Sequence, residues 1–371
     1  MKIVKLTGPL IFLSFMILVA KGNMVMADSP NYTKNFTKEK QLNSLYSNEI
    51  NSFWQQGIFG HFTGTHNTRI NYAAFVEPPK TEQNRACLVI IPGRSEGYLK
   101  YQELAFDLFQ HGYDIFIIDH RGQGISERLL ANPHKGYVDS FEDYSDDVHL
   151  FTETIVKKHC SEKPHLLSHS MGGIIAARFL QKHPDSVKSA VLSSPMIAIN
   201  SGAIPQWLAK ALVYSTVQLN QWFSDSPWYF IGQGDVADNA YHMDSFANNP
   251  LMQSQLRYQQ FTQLYQSTPA LQLGGVTAHW LAQALEAEQT VFNNLPKLTV
   301  PILVLQAGAD SVVDNERQNE FCYQLNKLQP RSCPNGKPVT IEHARHELFF
   351  ESDHYREEAI HQTLNWFKTF N

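Results

Sequence analysis

Short, uninterrupted apolar runs alternate along the chain with longer stretches whose apolar residues recur every three or four positions. Residues 87–91, 113–118, 165–168, 187–192 and 301–306 are runs of the first kind, which predict strands buried on both faces. Residues 98–111, with Leu104, Leu108 and Phe109 as an apolar stripe, and residues 141–158, 172–183, 316–325 and 355–370 predict helices. Residues 338–342 add a late strand. Residues 58–64 and 69–76 predict a strand pair ahead of the series, the second alternating through Ile70, Tyr72 and Ala74. Strands alternating with helices imply an α/β protein with a mostly parallel central sheet and helices on both faces. The alternation lapses over residues 197–295, which are rich in Trp, Tyr, Gln and Asn, carry several helical stretches and show no clear strand. This segment predicts a helical cap inserted between two halves of one core, residues 58–196 and 296–371, with residues 28–57 as a polar lead-in.

The N-terminus has a different pattern. Lys2 and Lys5 precede an apolar stretch from Leu6 to Ala20, closed by Lys21, and Val25-Met26-Ala27 places small residues ahead of a cut before Asp28. Residues 1–27 therefore predict a secretory signal peptide, since a membrane-spanning helix needs about 20 apolar residues. The alternative is an uncleaved N-terminal anchor. The chain of 371 residues is 43% hydrophobic and 18% charged, with a formal net charge of −5. That balance builds an ordinary core and has neither the basic footprint of a nucleic-acid binder nor a polybasic patch for anionic lipid.

Four cysteines in an exported chain permit two disulfides. Cys322 and Cys333 flank a Pro/Gly-containing loop and are the preferred pair; Cys87 and Cys160 each sit near the start of a predicted strand and could meet below the sheet. Four buried thiols remain the alternative. Asn31-Tyr32-Thr33 and Asn35-Phe36-Thr37 match the N-glycosylation pattern.

The chemistry centres on Ser168-His169-Ser170-Met171-Gly172-Gly173, which follows an apolar run and opens a predicted helix. A nucleophile elbow belongs in this setting: a tight turn lifts the serine hydroxyl above the sheet, and small neighbours make the turn possible. Ser168 stands where the usual pattern has glycine. A serine hydroxyl is a weak nucleophile without a base. In such folds the acid and then the histidine follow the serine in chain order, which points to Asp310, just beyond the strand at 301–306, and His346, in the loop after the strand at 338–342. Asp314 is a rival carboxylate, better read as the cap of the helix that starts there. His343 is a rival imidazole, and a metal pair of His343 and His346 lacks a third ligand. The oxyanion of an acyl-transfer intermediate needs two backbone donors; the N–H groups of Met171 and of Arg94, in the turn Pro92-Gly93-Arg94, are the candidates. Asp119-His120-Arg121-Gly122-Gln123-Gly124-Ile125-Ser126 predicts a structural loop packed beside the site, not a phosphate cradle.

Taken in order, Pro92-Gly93-Arg94, the 119–126 loop, the 168–173 turn, Val312-Val313-Asp314-Asn315 and His346-Glu347-Leu348 resemble the bacterial PldB-type lysophospholipases and the related monoacylglycerol lipases. Gly274-Gly275-Val276-Thr277-Ala278-His279-Trp280 is similar to a cap segment of the same group. The resemblance, from about Ile58 to the C-terminus, implies the α/β-hydrolase fold, a Ser170–Asp310–His346 triad, oxyanion donors at Arg94 and Met171, a lipid substrate with one acyl chain, and no cofactor. It leaves contact with a membrane surface and the oligomeric state open. Trp207, Trp222, Phe223, Trp228, Tyr229, Phe230 and Trp280 supply apolar surface in the insert; most are expected to pack its own small core.

Overall fold

A computed structural model describes residues 35–77, 85–200, 202, 204–237 and 240–371 of the chain. The proposed signal peptide at 1–27 and the Asn31 glycosylation motif lie outside the described residues. Asn35 is exposed, but Thr37 of the second motif is buried with its hydroxyl bonded to Glu103 and Asp107.

Eight strands form one sheet: β1 (Ile58–Thr63), β2 (Arg69–Phe75), β3 (Ala86–Ile91), β4 (Tyr113–Ile118), β5 (His165–His169), β6 (Ala190–Ser193), β7 (Ile302–Ala307) and β8 (Val339–Ile341). Their spatial order is β1-β2-β4-β3-β5-β6-β7-β8. The first pair is the predicted antiparallel hairpin, β2 also runs antiparallel to β4, and every later pairing is parallel. Every residue of β4, β5 and β7 is buried, as expected of strands covered on both sides. The polar lead-in forms α1 (Leu42–Ser47) and α2 (Glu49–Trp54), and the core helices are α3 (Gln102–Gln110), α4 (Glu142–Thr154), α5 (Met171–Lys182), α9 (Asn315–Leu328) and α10 (Asp353–Thr369).

The insert between β6 and β7 contains α6 (Gln206–Phe223), α7 (Gln255–Ser267) and α8 (Ala278–Asn293). Its parts behave differently. Trp280, Ala284, Ala287 and Val291 of α8 belong to the same buried apolar cluster as α5 and the sheet, and the Trp280 indole N–H donates to the Tyr144 hydroxyl on α4 (3.2 Å). On α6, in contrast, Trp207, Trp222 and Phe223 are 72%, 70% and 72% exposed. These three do not pack an internal core as the sequence suggested. Val213 and Asn220 are the buried residues of α6, and most of its large apolar side chains face solvent.

Both cysteine pairs form bridges, Cys87–Cys160 and Cys322–Cys333. The first joins β3 to the segment leading into β5; the second closes the loop after α9. No helix among the described residues is long and apolar enough to cross a membrane.

Candidate active site

The turn at Ser170 lies between β5 and α5. Ser170 has φ 50° and ψ −119°, a region that costs a non-glycine residue about 1–3 kcal/mol and recurs where a side chain must be presented to a site. The glycines after it permit the turn. A Cβ on Gly172 would lie 2.3 Å from the carbonyl oxygen of Ile91 and 2.6 Å from that of Pro92, and one on Gly173 would lie 2.4 Å from Pro195 Cβ. Ser168 takes the position of the missing glycine without disturbing the sheet: it is fully buried and keeps its register opposite Ile91 and Leu192.

His346 Nε2 is 2.9 Å from Ser170 Oγ, and His346 Nδ1 is 2.7 Å from Asp310 Oδ2. Asp310 Oδ1 accepts the amides of Val312 (2.8 Å) and Val313 (3.2 Å). The carboxylate is thus fixed by its own loop, and it orients the imidazole with its second oxygen. The rivals lie elsewhere. Asp314 caps α9, accepting from the amides of Glu316 and Arg317, and His343 is exposed.

The turn at Pro92-Gly93-Arg94 is held by the 119–126 loop, as a structural clamp. His120 Nε2 lies 3.1 Å from the Pro92 carbonyl; burial pulls this imidazole down to about 4, so at neutral pH it is uncharged and donates there. Gln123 Nε2 donates to the carbonyls of Gly93 (2.6 Å) and Glu96 (2.9 Å). Arg121 anchors the loop on Asp147 and Asp143 of α4. Asp119 accepts the amides of Tyr98 and Ile125, and burial pushes its carboxyl up to about 7. The Gly93 amide is taken by Glu96. The loop and cap hydrogen bonds engage neither the Arg94 nor the Met171 amide.

A buried charge network under the site was not anticipated. Lys100 Nζ bonds Glu96 Oε1 (2.5 Å) and Glu347 Oε1 (2.6 Å), Tyr101 donates its hydroxyl to Glu96 Oε2 (2.6 Å), and His169 Nε2 is 3.3 Å from Glu347 Oε2. Burial opposes charge on His169, but Glu347 and Glu96 outweigh it and raise its proton affinity above that of an ordinary histidine. Burial likewise opposes ionisation of Glu347, yet Lys100 and His169 hold it far below the usual carboxylate range. Glu96, His169 and Glu347 lie close enough together to suit a metal ion, but the Lys100 ammonium already bonds both carboxylates. Each member adjoins a residue of the site: Glu96 the 92–94 turn, His169 the Ser170 position and Glu347 the His346 position. The Glu96/Lys100 spacing of four was visible in the sequence; their burial required the tertiary fold.

Ser170 and His346 open into a cleft of about 800 Å³, lined on its apolar side by Met196, Ile199, Val276, Trp280, Leu281 and Val313. Fold and site together define an α/β-hydrolase in which a serine, a histidine and an aspartate are joined by hydrogen bonds. A family model described as serine aminopeptidase, S33 matches residues 82–353. The chain is 35% identical over 335 residues to lysophospholipase L2 of Escherichia coli (strain K12), covering 90% of this chain and 94% of that protein. It is 26% identical over 282 residues to monoglyceride lipase of Homo sapiens, covering 76% and 82%. The chain belongs to this hydrolase family, in the branch of the lysophospholipase L2 and monoglyceride lipase proteins. A solved soluble variant of monoglyceride lipase from Saccharomyces cerevisiae shares the fold, with a TM-score of 0.60 at 16% identity over 85% of this chain and 95% of that one.

Proposed function

We propose that this chain hydrolyses the carboxylic ester of a single-acyl-chain lipid, a lysophospholipid or monoacylglycerol, through an acyl-enzyme on Ser170. The observation that carries the reading is the unbroken Ser170–His346–Asp310 relay opening into an apolar cleft. Ser170 Oγ attacks the ester carbonyl while His346 Nε2 takes its proton, and Asp310 holds the imidazole in the tautomer this needs and stabilises the imidazolium. The amides of Met171 and Arg94 receive the oxyanion. His346 then protonates the departing glycerol oxygen. A water molecule, deprotonated by the same imidazole, releases the fatty acid and restores Ser170.

The test is fatty-acid release from a panel of lysophospholipids, monoacylglycerols, short esters and peptide amides, run beside Ser170→Ala. Release from the lipids, lowered by several orders of magnitude in the variant, is the expected result. Cleavage of peptide amides alone would reject the reading in favour of the peptidase activity that the family model's description names. A fluorophosphonate probe should label the wild type and leave Ser170→Ala unlabelled.

We also propose that the exposed face of α6 rests on the lipid surface from which substrate is drawn. Trp207, Trp222 and Phe223 are open to solvent on a helix whose one charged residue is Lys210, and aromatic side chains favour the membrane interface. Trp207→Ser/Trp222→Ser should reduce co-sedimentation with phosphatidylethanolamine–phosphatidylglycerol vesicles; equal binding would reject the contact. Export is proposed from the N-terminal pattern, supported by the two cystine bridges, which persist in oxidising compartments. Cell fractionation decides it, and recovery with the cytoplasmic proteins would reject it.

A further inference from the structure

Arg94 lacks the carboxylate partner that the most deeply buried arginines of the fold have. Arg121, Arg178, Arg257 and Arg356 are buried, and each binds a carboxylate. Arg94 lines the same cleft as Ser170 and His346, yet its guanidinium meets neutral groups: the Gly274 carbonyl, the Ser95 hydroxyl at 3.1 Å, and the face of Trp280 with 5.7 Å from Cζ to the ring centre. Its Nε is enclosed without a partner. Asp244 also lines the cleft but forms no ion pair with it. Burial pulls the guanidinium down to about 10, opposed only by the phenols of Tyr144, Tyr241 and Tyr229. Arg94 is half-buried at the cleft, and a partly desolvated cation without a counter-charge favours an anionic partner.

We infer that the Arg94 side chain binds the phosphate of a lysophospholipid head group, which makes the cleft selective for lysophospholipids over monoacylglycerols. The inference rests on the ester-hydrolase reading above. Two features of Arg94 fit this role. A guanidinium offers a planar fork of donors that matches phosphate oxygens. The reach also agrees: roughly six bonds separate the Arg94 amide nitrogen from its Cζ, and roughly six separate the ester carbonyl carbon of a 1-acyl lysophospholipid from phosphorus, at similar bond lengths. With the carbonyl oxygen at the Arg94 amide, the phosphate lies within range of the same residue's guanidinium. A monoacylglycerol leaves that guanidinium unpaired.

The experiment compares kcat/KM for 1-palmitoyl lysophosphatidylethanolamine and 1-palmitoylglycerol in identical mixed micelles, using the full chain and its Arg94→Met and Arg94→Lys variants. The ratio of the two values should fall at least tenfold in Arg94→Met. Arg94→Lys, which keeps a point charge but not the fork, should fall between. Glycerophosphoethanolamine should inhibit the wild type and lose at least tenfold in potency against Arg94→Met, a readout that does not depend on turnover of either lipid. Equal losses on both substrates would mark a general disturbance of the turn and overturn the inference, as would a wild type that cleaves only the monoacylglycerol. A wild type that cleaves neither lipid would instead overturn the ester-hydrolase reading.

Discussion

Replacing Lys100 by methionine removes the cation that two buried carboxylates share. The ammonium lies 2.5 Å from Glu96 and 2.6 Å from Glu347, and all three side chains are about 5% exposed or less. Methionine fills much the same volume, so the loss is electrostatic. Breaking a buried ion pair by removing one partner costs about 3–5 kcal/mol, because the remaining charge stays desolvated. Here two carboxylates are left facing each other with only His169 to offset them. Against the 5–15 kcal/mol that typically holds a domain folded, Lys100→Met should lower the unfolding free energy by at least about 3 kcal/mol. The urea midpoint, followed by tryptophan fluorescence, should fall accordingly. Glu347→Gln added to Lys100→Met should recover part of the loss by removing one of the stranded charges. Because Glu96 also holds the Gly93 amide, the folded fraction of Lys100→Met should show a reduced kcat. An unfolding free energy within about 1 kcal/mol of the wild type, or additive effects in the double variant, would refute the coupling.

Three further outcomes follow from the geometry. Gly172→Ala forces a Cβ against the backbone oxygens of Ile91 and Pro92; it should destabilise by about 1–3 kcal/mol and lower kcat about 100-fold through displacement of the adjacent oxyanion turn, measured with a soluble ester and by thermal melting. His169 has its proton affinity raised, so its contribution to stability is complete below about pH 6.5 and lost as pH rises through the higher folded value. The stability gap between wild type and His169→Gln should therefore narrow above that pH in urea titrations, and a gap independent of pH would contradict the ion pairing. Reducing Cys87–Cys160, which links positions 73 apart, should cost about 4 kcal/mol, against about 3 for Cys322–Cys333 at separation 11, on the loop-entropy account; the Cys87→Ser/Cys160→Ser and Cys322→Ser/Cys333→Ser variants, compared by urea unfolding, measure the difference.

The strands and the relay were legible because their signals are local. An apolar run as short as the one ending at Ile91, closed by Pro92-Gly93, suits a strand buried on both faces, and the turn at Ser170 needs small residues just where Gly172 and Gly173 stand. Chain order then pointed to Asp310 and His346, and the structure brings both to Ser170. The network of Glu96, Lys100, His169 and Glu347 left no such trace. Each member reads as an ordinary polar residue beside a loop, and its burial depends on turns more than 70 positions apart. The aromatic residues of the insert misled for a related reason: apolar content predicts burial only when a partner surface exists, and most of α6 has none.

The placement of α8 carries a practical consequence for redesign. It is encoded with the insert but packed with α5, the helix that follows Ser170, in one buried cluster, with Trp280 bonded to α4. A chimera exchanging this region with a relative should therefore cut ahead of Thr277, the residue that caps α8, so that the recipient keeps its own buttress and receives only the outer segments.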